Sequence, residues 1–207
     1  DKGWRRSRRR SSGPGQQIKV LMIKLYIGID VGLTGAVAVL DRYGECVAYQ
    51  TLPHRPHGKR KELDGEALAA WLTSDVMIPL NAKPHECFVT VEESAPFNMG
   101  TVSAYTSGYN NGRLHERLLQ LFHKRPLRIN AKKWQRLVYD FKLKREDDKK
   151  AISIEQAKAR HGDMSGAFNV KRYADGISDA LHIAEYGRLL EIRGLDPEKK
   201  EGKDGKR

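Results

Sequence analysis

Four carboxylates stand where they could work together: Asp30, Glu92, Asp175 and Asp179. Asp30 closes the β-rich run Leu25–Ile29 and is followed at once by a turn carrying Gly32 and Gly35. A lone buried Asp is costly, so an acid at the end of an interior strand beside such a turn has a job other than packing. It ligates a metal, the turn cradles a phosphate, or, with no such job, Asp30 is a surface acid that merely starts the turn. Glu92 ends a second apolar run, Phe88-Val89-Thr90-Val91, and Glu93 points to the other face because strand neighbours alternate. Asp175 and Asp179 lie in Ala-Asp-Gly-Ile-Ser-Asp-Ala-Leu-His. Four helical residues turn through about 400°, which puts the two acids within roughly 40° of each other, about 6 Å apart along the axis. Like charges on one face repel and need a cation or basic neighbours. Oxygen donors with no His/Cys spacing suit Mg²⁺ or Mn²⁺ rather than zinc.

The elements that must position these acids can be read in order. Leu25–Ile29, Ala36–Leu40 and Glu45–Leu52 form an antiparallel meander, and His54–Glu62, with Lys59, Arg60 and Lys61, reads as a basic loop. Asp64 caps a helix over Gly65–Thr73, with Leu68 and Leu72 on one face. Glu86–Val91 is an interior strand and Thr101–Phe122 a long helix. Pro126–Asn130 is a short fifth strand, followed by the cationic Lys132-Lys133-Trp134 stretch. Glu146–His161, which includes Lys149 and Lys150, and Tyr173–Ile192 are helices; Ala180, Leu181 and Ala184 mark the docking side of the last. The sum is an α/β fold with a five-stranded mixed sheet flanked by helices.

The chain has 207 residues and a net charge of +12. Residues 1–20 hold seven Lys/Arg against one Asp, so the remainder is itself basic, which favours a polyanionic partner. One domain over 22–193 is expected, between a disordered basic arm (1–21) and a charged tail (194–207). The arm reads as a DNA tether, an organelle presequence, or sequence upstream of a start at Met22; the last is preferred because Met22 immediately precedes the first strand. Cys46 and Cys87 lack CxxC spacing and are expected as free thiols in a reducing compartment. No apolar run approaches membrane-spanning length.

Taken jointly, Gly28-Ile29-Asp30, Val91-Glu92-Glu93-Ser94 with Pro96-Phe97, and Asp175-Gly-x-x-Asp179 followed by Ala180-Leu181-His182 resemble the RuvC-type Holliday-junction resolvases of the ribonuclease H-like superfamily. The pattern is nearest the branch of phage and chloroplast enzymes; the bacterial ones space their last two acids by three. The resemblance implies a ribonuclease H-like fold and a homodimer that cuts four-way DNA junctions by paired nicks. It further implies two Mg²⁺ or Mn²⁺ ions held by Asp30, Glu92, Asp175 and Asp179. Asp30 would bridge both, Lys149 or Lys150 would steady transition-state charge, and Phe97 would stack on an unpaired junction base. Lys59, Arg60, Lys61, Lys132 and Lys133 would contact the DNA backbone. The implied setting is the nucleoid of a bacterial or phage-infected cell, or an organelle.

Two other readings stay open at the level of residues. Gly28–Gly35 also matches the first phosphate turn of actin-like ATPases and sugar kinases, although no second Gly-Thr-Gly turn follows. A non-catalytic DNA-binding module would use the basic surface alone, but four converging acids would weaken its grip on phosphate. The helix Thr101–Phe122 is the expected dimer surface, through Tyr105, Tyr109, Leu114 and Leu118 beside Gly108 and Gly112.

Overall fold

A computed structural model describes residues 25–32, 34–58, 60–93, 100–139, 141–162, 164 and 166–196. The expected arm and nearly all of the expected tail lie outside them. Strands β1 (Leu25–Ile29), β2 (Ala36–Asp41) and β3 (Cys46–Thr51) form the antiparallel meander. Strand order in the main sheet is β3-β2-β1-β6-β7, with β6 (Cys87–Glu92) parallel to β1 and β7 (Leu127–Ile129) parallel to β6. This is the five-stranded mixed sheet expected from the pattern of apolar runs.

The segment expected as a basic loop is instead a hairpin, β4 (His54–His57) against β5 (Arg60–Leu63). Leu63 is buried at its base, and Glu62 is almost fully buried between two guanidinium groups. Arg55 Nε donates to its carboxylate at 2.8 Å and Arg113 Nη1 at 2.9 Å. The run of charge hid this alternation, because the residue that points inward is itself an acid.

The four expected helices keep their places, three with shifted ends, and a fifth, over the cationic Lys132-Lys133-Trp134 stretch, is not among them. Asp64 accepts from Ala67 N and caps α1 (Gly65–Trp71), which runs on through a wider π-helical turn, Leu72–Met77. Burial of Leu68, Leu72 and Val76, four apart, carries it past the expected end at Thr73. Helix α2 spans Thr101–Phe122 as expected, and α3 covers Ala131–Val138. Helix α4 starts at Lys149 rather than Glu146, because the Asp148 carboxylate accepts from the backbone N–H groups of Lys150 and Ala151 and sets the first turn there. Helix α5 spans Lys171–Ile192.

The sheet separates two apolar layers. Ile27, Ile29, Val37, Val39, Val89 and Val91 pack against α1 and against Leu114, Leu118 and Phe122 of α2. The alternate residues Tyr26, Ala36, Ala38 and Leu40 pack against Ala157 of α4 and Ile177, Ala180, Leu181 and Ala184 of α5. A third cluster joins Trp134, Val138 and Tyr139 to Ile183, Tyr186 and Leu190.

Two of the four apolar residues expected at a dimer surface are therefore core. Leu114 and Leu118 are buried under the sheet, whereas Tyr105 and Tyr109 are exposed. Five residues of helix turn through about 500°, so Leu114 lies some 140° round from Tyr109. A Cβ added at Gly108 or Gly112 would meet nothing within 4 Å, so this glycine stripe faces open space and not the sheet. Cys46 and Cys87 are free thiols, and burial pushes them up to about 11 and about 12. Among the described residues no helix is long and apolar enough to cross a membrane.

Candidate active site

Ile29 of β1 pairs with Val91 of β6 in the parallel register. The next residues, Asp30 and Glu92, therefore leave the same end of adjacent central strands side by side. The turn after Asp30 is closed by Asp30 N donating to Ala36 O at 3.0 Å and Gly35 N donating to Gly32 O at 3.2 Å.

Helix α5 reaches this edge because small residues let it lie almost on the sheet. A Cβ at Gly28 would come within 2.2 Å of Ala180 O and of Ala184 N. One at Gly176 would come within 2.2 Å of Thr34 O, in the turn itself. This close approach, between Asp175 and Asp179 in the chain, delivers both acids over Asp30.

The four acids sense one another. Asp30 is pushed well above the usual carboxylate range, first by burial and then by the negative charges of Asp179, Glu92 and Asp175. Asp179 is raised to about 7, again by burial first, with the Ser153 hydrogen bond opposing and the charges of Glu92 and Asp175 adding. Glu92 is raised by burial, against the lowering effect of its bond from Trp134.

Three of the four are held by donors from the protein. Trp134 Nε1 donates to Glu92 Oε2 at 2.6 Å, Ser153 Oγ to Asp179 Oδ1 at 2.5 Å, and Lys150 Nζ to Asp175 Oδ2 at 2.6 Å. Among the described residues no three His, Cys, Asp or Glu side chains are gathered closely enough to hold an ion as they stand. Mutual repulsion and these separate donors account for the spacing. In type the set still fits a hard divalent cation: it is all oxygen, and it is destabilised by its own charge.

Behind the acids lies a buried aromatic layer. His182 is fully buried, with Nε2 3.0 Å from Ser153 O, its ring stacked on Trp134 and edge-on to Tyr139. Burial lowers it to about 4, so it is a neutral core residue that ties α4 to α5. Glu93 does turn elsewhere, pairing with Arg128 at 3.0 Å.

The expected cationic contacts are spread around this edge. Lys150 and the exposed Lys149 open α4, Lys132 and Lys133 are exposed on the first turn of α3, and Lys61 lines a cavity beside the Asp30 turn. Arg60 lies on β5. Lys59 and Phe97, with Ser94 and Pro96, lie outside the described residues.

Sequence reasoning missed Ser153 and the role of Trp134. Ser153 was legible in part: with Lys150 and Ala157 it falls at i, i+3, i+7, one face of α4. Nothing local in the sequence announces that the indole of Trp134 bonds Glu92, 42 positions away.

Such an arrangement, a β1 acid, an acid on the neighbouring parallel strand and acids on a final helix packed across them, sits on a ribonuclease H-like fold. Among solved structures, T. thermophilus RuvC in complex with Holliday junction substrate matches with a TM-score of 0.55 and 12% identity. The match covers 83% of this chain and 97% of that one. At that identity the likeness is one of fold and does not distinguish branches within it. By sequence the chain matches no family model and no curated protein.

Proposed function

We propose that this protein is a metal-dependent, structure-selective DNA endonuclease that resolves four-way junctions. The observation that carries the reading is the convergence of Asp30, Glu92, Asp175 and Asp179 at one sheet edge, the other three each raising the charge problem of Asp30. Support comes from the basic chain and from the fold shared with a solved protein whose structure contains a Holliday junction.

Asp30, Glu92, Asp175 and Asp179 would hold two Mg²⁺ or Mn²⁺ ions. When bound, such ions activate a water and stabilise the leaving oxygen of a phosphodiester. The chain supplies the rest. Trp134 and Ser153 fix the orientation of Glu92 and Asp179. Lys150, whose Nζ donates to Asp175 Oδ2, would be free to steady charge on the phosphodiester if Asp175 held a metal. Lys132, Lys133 and Lys149, with Lys59, Arg60 and Lys61 across the turn, would meet the DNA backbone, and Phe97 an unpaired base.

Paired nicks require two sites, and a two-fold dimer is the simplest way to present them to a junction with approximate two-fold symmetry. The exposed stripe of α2, with Val102, Tyr105, Gly108, Tyr109 and Gly112, is the surface for it. The deciding experiment incubates purified protein with a four-way junction and a matched linear duplex, in Mg²⁺, in Mn²⁺ and in EDTA. Symmetric nicks in the junction alone, lost in EDTA and with Asp30→Asn, are expected. Tight junction binding without cutting in either metal would leave a DNA-binding module instead.

A further inference from the structure

Helix α2 carries its polarity the wrong way round for a helix that only covers a sheet. In its first half the tyrosines face solvent, while Ser103, Thr106, Ser107 and Asn110, at i, i+3, i+4 and i+7, face a cavity of about 630 Å³. Among the described residues Asn110 Oδ1 has no hydrogen-bond partner, and it is closed off from solvent. Leu52 and Leu63 add aliphatic surface to its lining, beside Thr51, His54 and Lys61.

The cavity adjoins the candidate active site at two of its elements, the Asp30 turn and the start of α5. Val31 and Gly32, the residues after Asp30, form one side; Arg172 and Tyr173, one turn before Asp175, form another. Lys61 and Arg172 place two cations on its lining.

A nucleobase has a polar edge and apolar faces, and this cavity offers a polar ladder together with aliphatic side chains. Its volume lies in the range of ligand pockets and exceeds what one base needs. Cations around such a pocket suit the phosphates on either side of an extruded nucleotide. We infer that the cavity receives one unstacked nucleobase from the strand whose phosphate lies at Asp30, so that Ser107 and Asn110 read its edge and impose a base preference next to the cut. This rests on the nuclease reading above. The same pocket chemistry would accept the base of a free nucleotide, and the test separates the two sources.

Junctions carrying 2-aminopurine singly at each position flanking the cut are bound by the intact protein in EDTA. A fluorescence rise of roughly fivefold or more at one position is expected, as for a base leaving its stack. Ser107→Leu and Asn110→Leu, which fill the cavity from one helix face, should each abolish the rise and flatten the base preference of cleavage in Mg²⁺ by about tenfold. Thr106→Val, which keeps the volume and removes a hydroxyl already given to Val102 O, should retain the rise. A protein that cuts junctions but shows no position-specific rise, or keeps it in both leucine variants, overturns the inference and leaves the nuclease reading intact. Saturable binding of dAMP or dTMP without any 2-aminopurine response also overturns it, in favour of a mononucleotide site. Failure to cut any branched DNA removes the nuclease reading and this assignment together.

Discussion

Gly28 on β1 lies so close to Ala184 on α5 that a Cβ at position 28 would come within 2.2 Å of the Ala184 backbone nitrogen. That contact sets how near the last helix comes to the first strand, and hence how near Asp179 comes to Asp30. Gly28→Ala must push the two elements apart; overpacking of this kind costs about 3 kcal/mol. Gly176→Ala presses instead on Thr34 in the turn. Displacing the acids by about 1 Å there should slow junction cutting about 100-fold, by more than its effect on stability would explain. Urea unfolding and single-turnover cleavage on the same samples check both.

Removing a site carboxylate should stabilise the metal-free protein. Asp179 rises from 3.8 to about 7 on folding, so the folded state binds its proton more tightly than the unfolded chain does. The resulting cost is absent below pH 4, grows as pH rises toward 7 and is complete above it. Asp179→Asn keeps an acceptor for Ser153 and should gain on the order of 2–4 kcal/mol at pH 8 in EDTA, shrinking to nothing near pH 4. Mg²⁺ should raise the melting temperature of the parent protein more than that of the variant. A variant equally stabilised at pH 4 and pH 8 would refute the electrostatic account.

Trp134→Phe keeps an aromatic ring beside His182 and deletes the N–H that holds Glu92. Loss of such an orienting donor commonly costs 10–100-fold in metal affinity. We expect the half-saturating Mg²⁺ concentration to rise about tenfold. The hydrogen bond opposes the burial-driven rise of the Glu92 pKa, so its loss should also move the acid limb of the cleavage profile to higher pH. If the fall in rate is the same at all Mg²⁺ concentrations, the indole only packs.

Gly108→Glu tests the α2 surface without touching the core, since a Cβ there meets nothing within 4 Å. The variant should keep its unfolding free energy within about 1 kcal/mol of the parent's, as exposed substitutions do. If the proposed dimer forms through this face, the variant should sediment as a monomer where the parent protein sediments as a dimer, and it should convert paired nicks into single ones. Paired nicking by a species that remains monomeric on junction DNA excludes the dimer.

The alternation of Leu25–Ile29 and Ala36–Leu40, the cap at Asp64 and the span of α2 were legible in the chain because strand and helix periods are local properties of the apolar pattern. The acids were legible too, as strand-end and same-face residues. Tertiary structure alone decided the rest. Whether Asp30 and Glu92 share an edge depends on β1 and β6 being parallel neighbours, a pairing across some 60 residues that no local pattern encodes. Gly28, Gly176, Ala180 and Ala184 look like ordinary small residues until the helix lies on the strand, where the absence of side-chain atoms becomes the distance between carboxylates. Likewise Trp134, Ser153 and Lys150 acquire their partners only when α3, α4 and α5 are packed together, since a hydrogen bond is short-ranged and the chain reaches it by folding and not by sequence spacing.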